Sequence, residues 1–290
     1  MPDPTILFCI GAQKAGTTWL YEYLAGHPDC HLRAVKELHY FNTVDASDPM
    51  HGRVHIVERA ERIRAKLSKA WFFQHRDRRR ELADIEEWLK VTPDPEDRAY
   101  AAYLRRRWKG QKLIGDITPA YATLDRGGFA RMARLGEDVR FVFVLRDPVE
   151  RAWSQARMMG SGEASDAEVE ATVRRIFDAF IRGDKTGMQL RSDYARTLNE
   201  LLAAVPRERI HVMFFEEMFD QKALDRLTDF LGIRHWPGKF EKISHRGRPL
   251  ALDDERRRRA SRALAGQYAF CEQFFNGCLP DRWRAHMLEA

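Results

Sequence analysis

The chain has little of what would place it in a specialised structural class. It has only four cysteines in 290 residues, Cys9, Cys30, Cys271 and Cys278. None of them has zinc-ligand spacing. Cys9 falls in an apolar run and reads as a core residue. A Cys271–Cys278 bridge is conceivable, but the sparse cysteines favour free thiols in a reducing compartment. No apolar stretch reaches the roughly 18 residues a membrane span needs. No basic segment precedes the first apolar run, which is also too short for a secretory leader. A soluble, cytoplasmic protein is therefore expected. There are no repeats and no low-complexity linker, so one domain over residues 1–290 is the simpler organisation. Charge of one sign is also in short supply. Lys plus Arg is 49 against 43 acids, a formal excess of +6. That suits an anionic ligand but is too small to argue for nucleic acid. Hydrophobic residues, at 44%, are enough for a substantial core.

What is present is organised around Phe8–Leu24, FCIGAQKAGTTWLYEYL. Ile6–Ile10 reads as a short buried strand. It breaks at Gly11 into a small-residue loop, Ala12, Gln13, Lys14, Ala15 and Gly16. Thr17 and Thr18 open a helix with Leu20, Tyr23 and Leu24 on one face, and Gly26 and Pro28 are its stop signals. A strand, a glycine loop and a helix N-terminus make an anion site, because backbone N–H groups and the positive end of the helix dipole converge there. Gly11 and Gly16 have the spacing of a Walker A loop, but Thr17 stands where that motif has lysine. The lysine, Lys14, lies inside the loop. A phosphate or sulfate cradle is expected, not an ordinary NTPase loop.

The run Gln13-Lys14-Ala15-Gly16-Thr17-Thr18-Trp19-Leu20 resembles the 5′-phosphosulfate loop of sulfotransferases that use 3′-phosphoadenosine 5′-phosphosulfate (PAPS). The likeness is to the branch with bacterial sulfotransferases and the glycosaminoglycan (heparan sulfate) sulfotransferase domains. It implies a P-loop-like three-layer α/β/α fold with a central parallel sheet of four or five strands. It also implies a PAPS donor with adenosine 3′,5′-bisphosphate as product, and no metal. Trp19 would pack near the adenine.

Further segments carry the same resemblance. HLRAVKELHYFN, residues 31–42, resembles the family's Lys-Glu-x-His-Phe-Phe segment. In an extended segment Lys36 and Glu37 point to opposite faces, while Glu37 and His39 share one. Two proton acceptors beside a phosphosulfate loop are what acceptor deprotonation requires. Glu37 ranks first as base and His39 second, with Lys36 on the substrate side. KLIGDITPAY, residues 112–121, reads as a second strand and resembles the family's acceptor-side segment. Here Asp116 replaces Glu and Ile117 replaces Lys. Asp116, Thr118 and Tyr121 are expected on the acceptor side, and Asp116 is a third candidate for proton handling.

Arg140–Leu145 is another buried strand, apolar enough to be covered on both faces. It leads into Arg146-Asp147-Pro148-Val149-Glu150. Asp147 is expected as N-cap, Pro148 as first helical residue and Glu150 as the returning partner of a capping box. Ser154 lies two turns on, about 10 Å along the axis. Arg146 and Ser154 would form a second anion clamp, well separated from the first loop. LRDPVERAWSQ resembles the family's 3′-phosphate motif. Ser244–Pro249, SHRGRP, loosely resembles the loop that closes over the donor's phosphates, which would add Arg246, Gly247 and Arg248. Residues 44–110 read as a mainly helical insertion mixing basic and aromatic residues. There the aromatics are expected in the core and the charge runs on solvated faces.

Together these segments imply sulfuryl transfer to a hydroxyl or amine of a glycan, lipid or small molecule, with no nucleic acid and no membrane span. Two other classes stay open. A P-loop kinase or NTPase would need a lysine at position 17, where Thr17 stands. A non-enzymatic binder of acidic polymers would rest on the basic-aromatic insertion.

Overall fold

The computed structural model describes residues 2–44, 51–68, 76–161, 165–241 and 250–288. Five strands form one parallel sheet: β1 (Thr5–Gly11), β2 (Cys30–Leu32), β3 (Leu113–Ile117), β4 (Val139–Leu145) and β5 (Ile210–Phe214). Their order across the sheet is β2-β3-β1-β4-β5. Helix α1 (Thr17–Ala25) follows β1. Between β2 and β3 come α2 (Tyr40–Val44), α3 (His51–Ser68), α4 (Arg76–Trp88) and α5 (Arg98–Arg105). Helix α6 (Arg126–Ala133) joins β3 to β4. Between β4 and β5 lie α7 (Pro148–Gly160), α8 (Asp166–Ile181), α9 (Thr186–Leu190) and α10 (Tyr194–Ala204). After β5 come α11 (Gln221–Leu231), α12 (Asp254–Ala263), α13 (Ala265–Phe274) and α14 (Asp281–Leu288). The fold is thus the expected α/β architecture with a parallel sheet of five strands.

The strand sequences explain the sheet. In β1, Ile6 to Ile10 are fully buried, as are Phe141 to Leu145 of β4. A run apolar at every position suits a strand covered on both faces. Rings fill one side: Phe8 meets Phe41 edge-on at 5.7 Å, and Tyr40 stacks on Tyr100 at 4.3 Å. Gly115 permits the close approach of β3 to β1, since a Cβ there would lie 2.6 Å from the Leu7 carbonyl oxygen.

In the insertion, Trp88, Tyr100 and Tyr103 are core residues, as expected. Arg33, just after β2, anchors α4 by pairing with Asp84 and, at 2.5 Å, with Glu87. Trp71, Phe72 and Phe73 lie outside the described residues. The aromatics of residues 268–275 suggest one terminal helix. The structure has α13 there and adds α14, whose Trp283 is fully buried and whose His286 is nearly so. All four cysteines are free thiols, with Cys278 exposed and the other three buried.

Strand order sets the position of any site. From β1 the chain moves toward β2 at one edge, and from β4 toward β5 at the other. The carboxyl ends of β1 and β4 therefore flank the point where the winding reverses, which is where open α/β sheets bind ligands.

Candidate functional site

The first wall of a site at that point is the loop after β1. The Ala12 N–H donates to the Val144 carbonyl at 2.6 Å, tying the loop to the neighbouring strand. The Ala15 N–H closes a turn on the Ala12 carbonyl at 3.1 Å. Lys14 and Gly16 both have left-handed backbone, at φ 73° and 76°. Glycine is required at 16 for a second reason. A Cβ there would press on Met218 Sδ and the Phe215 ring at 3.0 Å. Gly16 is the N-cap of α1, and among the described residues no side chain accepts from the helix's first amides. Those amides, from Thr17 onward, carry the positive end of the helix dipole. The side-chain oxygen of Gln13 in the same loop is buried with no hydrogen-bond partner among the described residues.

The second wall is the corner after β4. Asp147 caps α7, accepting from the Glu150 N–H at 2.9 Å. The expected reciprocal bond from Glu150 is not made. The Asp147 N–H instead donates to Glu216 Oε1 at 2.9 Å, in the turn after β5. Glu150 is engaged elsewhere, with Arg282 at 2.7 Å and Arg146 at 3.6 Å. Asp147 is fully buried and also receives the Tyr268 hydroxyl at 2.9 Å, with His286 Nδ1 3.0 Å away. Tyr194 donates to the Arg146 carbonyl at 2.7 Å. Segments from β4 to α14 thus fix this corner together.

The two walls touch. Arg146 Nη1 donates to the Lys14 carbonyl at 3.0 Å, and its guanidinium lies over the Phe215 ring at 4.6 Å. The wide separation expected from the sequence is therefore corrected. The walls are neighbours because β1 and β4 are adjacent strands, a few ångströms apart. Ser154 lies on α7, nearly buried.

The electrostatics follow from this crowding. Burial lowers the pKa of the Lys14 amine, Arg146 and Arg157 push it further down, and Glu37 partly opposes them. Arg146 is lowered too, first by burial, with Glu150 and Glu216 opposing. Buried cations that destabilise one another form a place where an anion is favoured. Arg157 was not singled out in the sequence. Its signal was its place one helical turn after Ser154, which puts both on one side of α7.

The segment after β2 is not extended, as the sequence suggested. Glu37 and His39 have φ of 65° and 54°, and the turned backbone brings Lys36 and Glu37 together. Lys36 Nζ donates to Glu37 Oε1 at 2.6 Å and reaches Thr17 Oγ1 at 3.4 Å. His39 Nε2 lies 3.8 Å from Glu37 Oε2. Lys36 therefore joins this acid-base pair to the first helical residue of the loop. Desolvation pushes the Glu37 pKa up, but His39 and Lys36 outweigh it and hold the carboxyl at about 2. Its side chain is still 41% exposed, so water shares these contacts.

Other expected site residues are placed differently. Asp116, Thr118 and Tyr121, expected on the acceptor side, are packed inside the fold. Asp116 is 3% exposed and accepts from Thr118 Oγ1, the Tyr121 hydroxyl and the Tyr100 hydroxyl at 2.7–2.8 Å. Burial pushes its pKa up, and the three hydroxyls oppose it. With Tyr100 reaching it from the insertion, Asp116 gathers three hydroxyls inside the fold, beside Phe8 in the strand register. Trp19 is buried in a stack of rings with Tyr23 at 6.0 Å and Phe240 at 5.9 Å, and its Nε1 donates to the Lys239 carbonyl at 3.3 Å. Arg246, Gly247 and Arg248 lie outside the described residues. Among the described residues no cluster of metal-ligating side chains occurs, and no helix is long and apolar enough to cross a membrane.

A model of the family described as "Sulfotransferase family" matches residues 4–238. The "Membrane-associated sulfotransferase kil1" of Dictyostelium discoideum is 27% identical over 146 residues, which cover 50% of this chain and 21% of that protein. Among solved structures, a sulfotransferase from Alicyclobacillus acidocaldarius superposes with a TM-score of 0.64. It is 22% identical, covering 98% of this chain and 100% of that one. A sulfotransferase domain from the curacin biosynthetic pathway gives 0.50 at 18% identity, covering 82% and 77%. At these identities the two structures show a shared fold.

Proposed function

The chain belongs to the sulfotransferase family, and we propose that it transfers the sulfuryl group of PAPS to a hydroxyl or amine of an acceptor. One observation carries this reading: Arg146 hydrogen-bonds the Lys14 carbonyl at 3.0 Å. It joins an uncapped helix N-terminus and a buried guanidinium at the winding reversal of the sheet. The two phosphate groups of one adenosine are only a ribose apart, so a single donor reaches both walls. The donor set suits such a ligand. Lysine, arginine and backbone amides bind phosphate and sulfate oxygens without a metal.

In this reading the sulfur–oxygen bond to the 5′-phosphate breaks as a sulfur–oxygen or sulfur–nitrogen bond to the acceptor forms, and adenosine 3′,5′-bisphosphate leaves. Lys14 and the amides of Gly16, Thr17 and Thr18 hold the phosphate oxygen on which negative charge builds. In comparable group transfers, stabilising such charge lowers the barrier more than any other single effect. A lysine whose charge is destabilised by burial and by two arginines gains most from that anion. Arg146 and Ser154 hold the 3′-phosphate, and Arg157, which lowers the pKa of both Lys14 and Arg146, adds positive charge.

Glu37 receives the acceptor proton, with His39 beside it. A carboxyl held at about 2 is ionised at neutral pH but is a weak base. Its basicity rises when Lys36 turns from it toward the donor by way of Thr17. Glu37→Gln is expected to lower kcat by roughly 10²- to 10⁴-fold, the range for a positioned general base. A larger loss in His39→Asn than in Glu37→Gln would exchange their roles. The acceptor class remains a glycan, a lipid or a small alcohol or amine.

Thermal unfolding tests the donor assignment. Adenosine 3′,5′-bisphosphate is expected to raise Tm more than ATP with Mg²⁺ at equal concentration, since binding to the folded state stabilises by mass action. A larger shift with ATP and Mg²⁺ would make the loop that of a kinase or NTPase. Transfer of labelled sulfate from PAPS to acceptor pools is the direct assay.

A further inference from the structure

The carboxylate that faces Arg146 is shared with a residue near the far end of the chain. Glu150 Oε2 lies 3.6 Å from Arg146 Nη2, longer than a hydrogen bond. The other oxygen, Oε1, takes a hydrogen bond of 2.7 Å from Arg282 Nη2. The Glu150 side chain is 14% exposed, whereas that of Arg282 is 58% exposed. Arg282 stands in the first turn of α14. That helix is seated by Trp283, which is fully buried, and by His286 against Asp147. Helix α14 therefore sets a basic side chain on each of two carboxylates in the corner that carries Arg146. It also lies beyond residue 238, where the family match ends.

We propose that Arg282 is a positioning residue for donor binding: by holding Glu150 it keeps that carboxylate from closing on Arg146, and so leaves the guanidinium to the 3′-phosphate. This rests on the reading of Arg146 given above. The physics is a competition for one fork of donors. A guanidinium and a carboxylate one helical turn apart and nearly buried can close into a bidentate pair, and that pair uses the same N–H groups a phosphate needs. An arginine on the outer oxygen supplies Glu150 with a partner. The inner contact then stays long, and the donor does not have to break it.

The test is a double-mutant cycle on adenosine 3′,5′-bisphosphate and AMP dissociation constants in the full chain. Arg282→Gln is expected to weaken bisphosphate binding roughly three- to five-fold, the scale of one partly exposed ion pair, and to leave AMP binding unchanged. In a Glu150→Gln background the same substitution is expected to change nothing, because the competitor is gone. A parent-like Arg282→Gln would overturn the proposal. So would an equal loss in both backgrounds, which would mean that the charge acts through space and not through Glu150. Arg146→Ala is measured alongside. If it keeps the parent's preference for the bisphosphate over AMP, the 3′-phosphate reading of Arg146 is what fails, and the role of Arg282 falls with it. Because Arg282 is exposed, unfolding temperatures close to the parent's are expected and would show that the variants are folded.

Discussion

Replacing Lys14 with alanine is expected to lower kcat about a thousand-fold while changing the dissociation constant for adenosine 3′,5′-bisphosphate by less than about five-fold. The size follows from what a preorganised cation or oxyanion donor contributes to charge building in a transition state, roughly 10²- to 10⁵-fold. The split between turnover and binding follows from the geometry. The loop amides and Arg146 remain to hold the phosphates. Lys14 contributes its carbonyl to Arg146 from the backbone, so the side-chain truncation spares that bond. Lysine and alanine both carry a Cβ, so the left-handed backbone at position 14 strains the variant about as it strains the parent. Steady-state kinetics with labelled PAPS, together with direct titration of the bisphosphate, make the check. Parent-like turnover would remove Lys14 from the chemistry.

The second large effect belongs to Arg146. Arg146→Ala is expected to weaken adenosine 3′,5′-bisphosphate by about 30- to 100-fold and AMP by only a few-fold. A hydrogen bond to a charged group contributes about 1.5–3 kcal/mol, so loss of one covers this range. Truncation also acts on two neighbours. The guanidinium covers the Phe215 ring, so its removal exposes apolar surface. Glu150 loses one partner but keeps Arg282, so the variant does not strand a buried charge. Calorimetric titration with both nucleotides separates the cases. Equal losses for the two would contradict a 3′-phosphate role.

Much of this site was legible because its signals are local. Gly11, Lys14 and Gly16 announce the loop and the helix start, although the loop's seat on Val144, Arg146 and Phe215 is decided elsewhere in the chain. Asp147 and Pro148 announce a helix start, and the cap is there. What could not be read was anything decided by a distant segment. Glu150 looked like the partner of a capping box, but the Asp147 N–H goes to Glu216, which the sheet brings to the next strand end. The Lys14 and Arg146 walls looked separate because strand order is a property of the whole chain. KLIGDITPAY read correctly as a strand and turn. Its polar residues went inside because Tyr100, from the insertion, covers Asp116. Lys36-Glu37-Leu38-His39 gave no sign of its left-handed turns, which no glycine or asparagine marks in that stretch. Helix α14 escaped because DRWRAHML is short and only half apolar, with Trp283 and His286 three residues apart as its buried face.

The buried Asp147 carboxylate ties remote parts of the chain into one cooperative unit. Its oxygens are occupied by an amide of α7, a hydroxyl of α13 and an imidazole of α14. Fraying of the last helix would take one of three partners from this buried carboxylate, so local opening there carries a cost at the corner after β4. The corner after β4 and the last helix are therefore coupled in stability. Whatever tightens that corner also slows the breathing of a helix more than a hundred residues away in sequence.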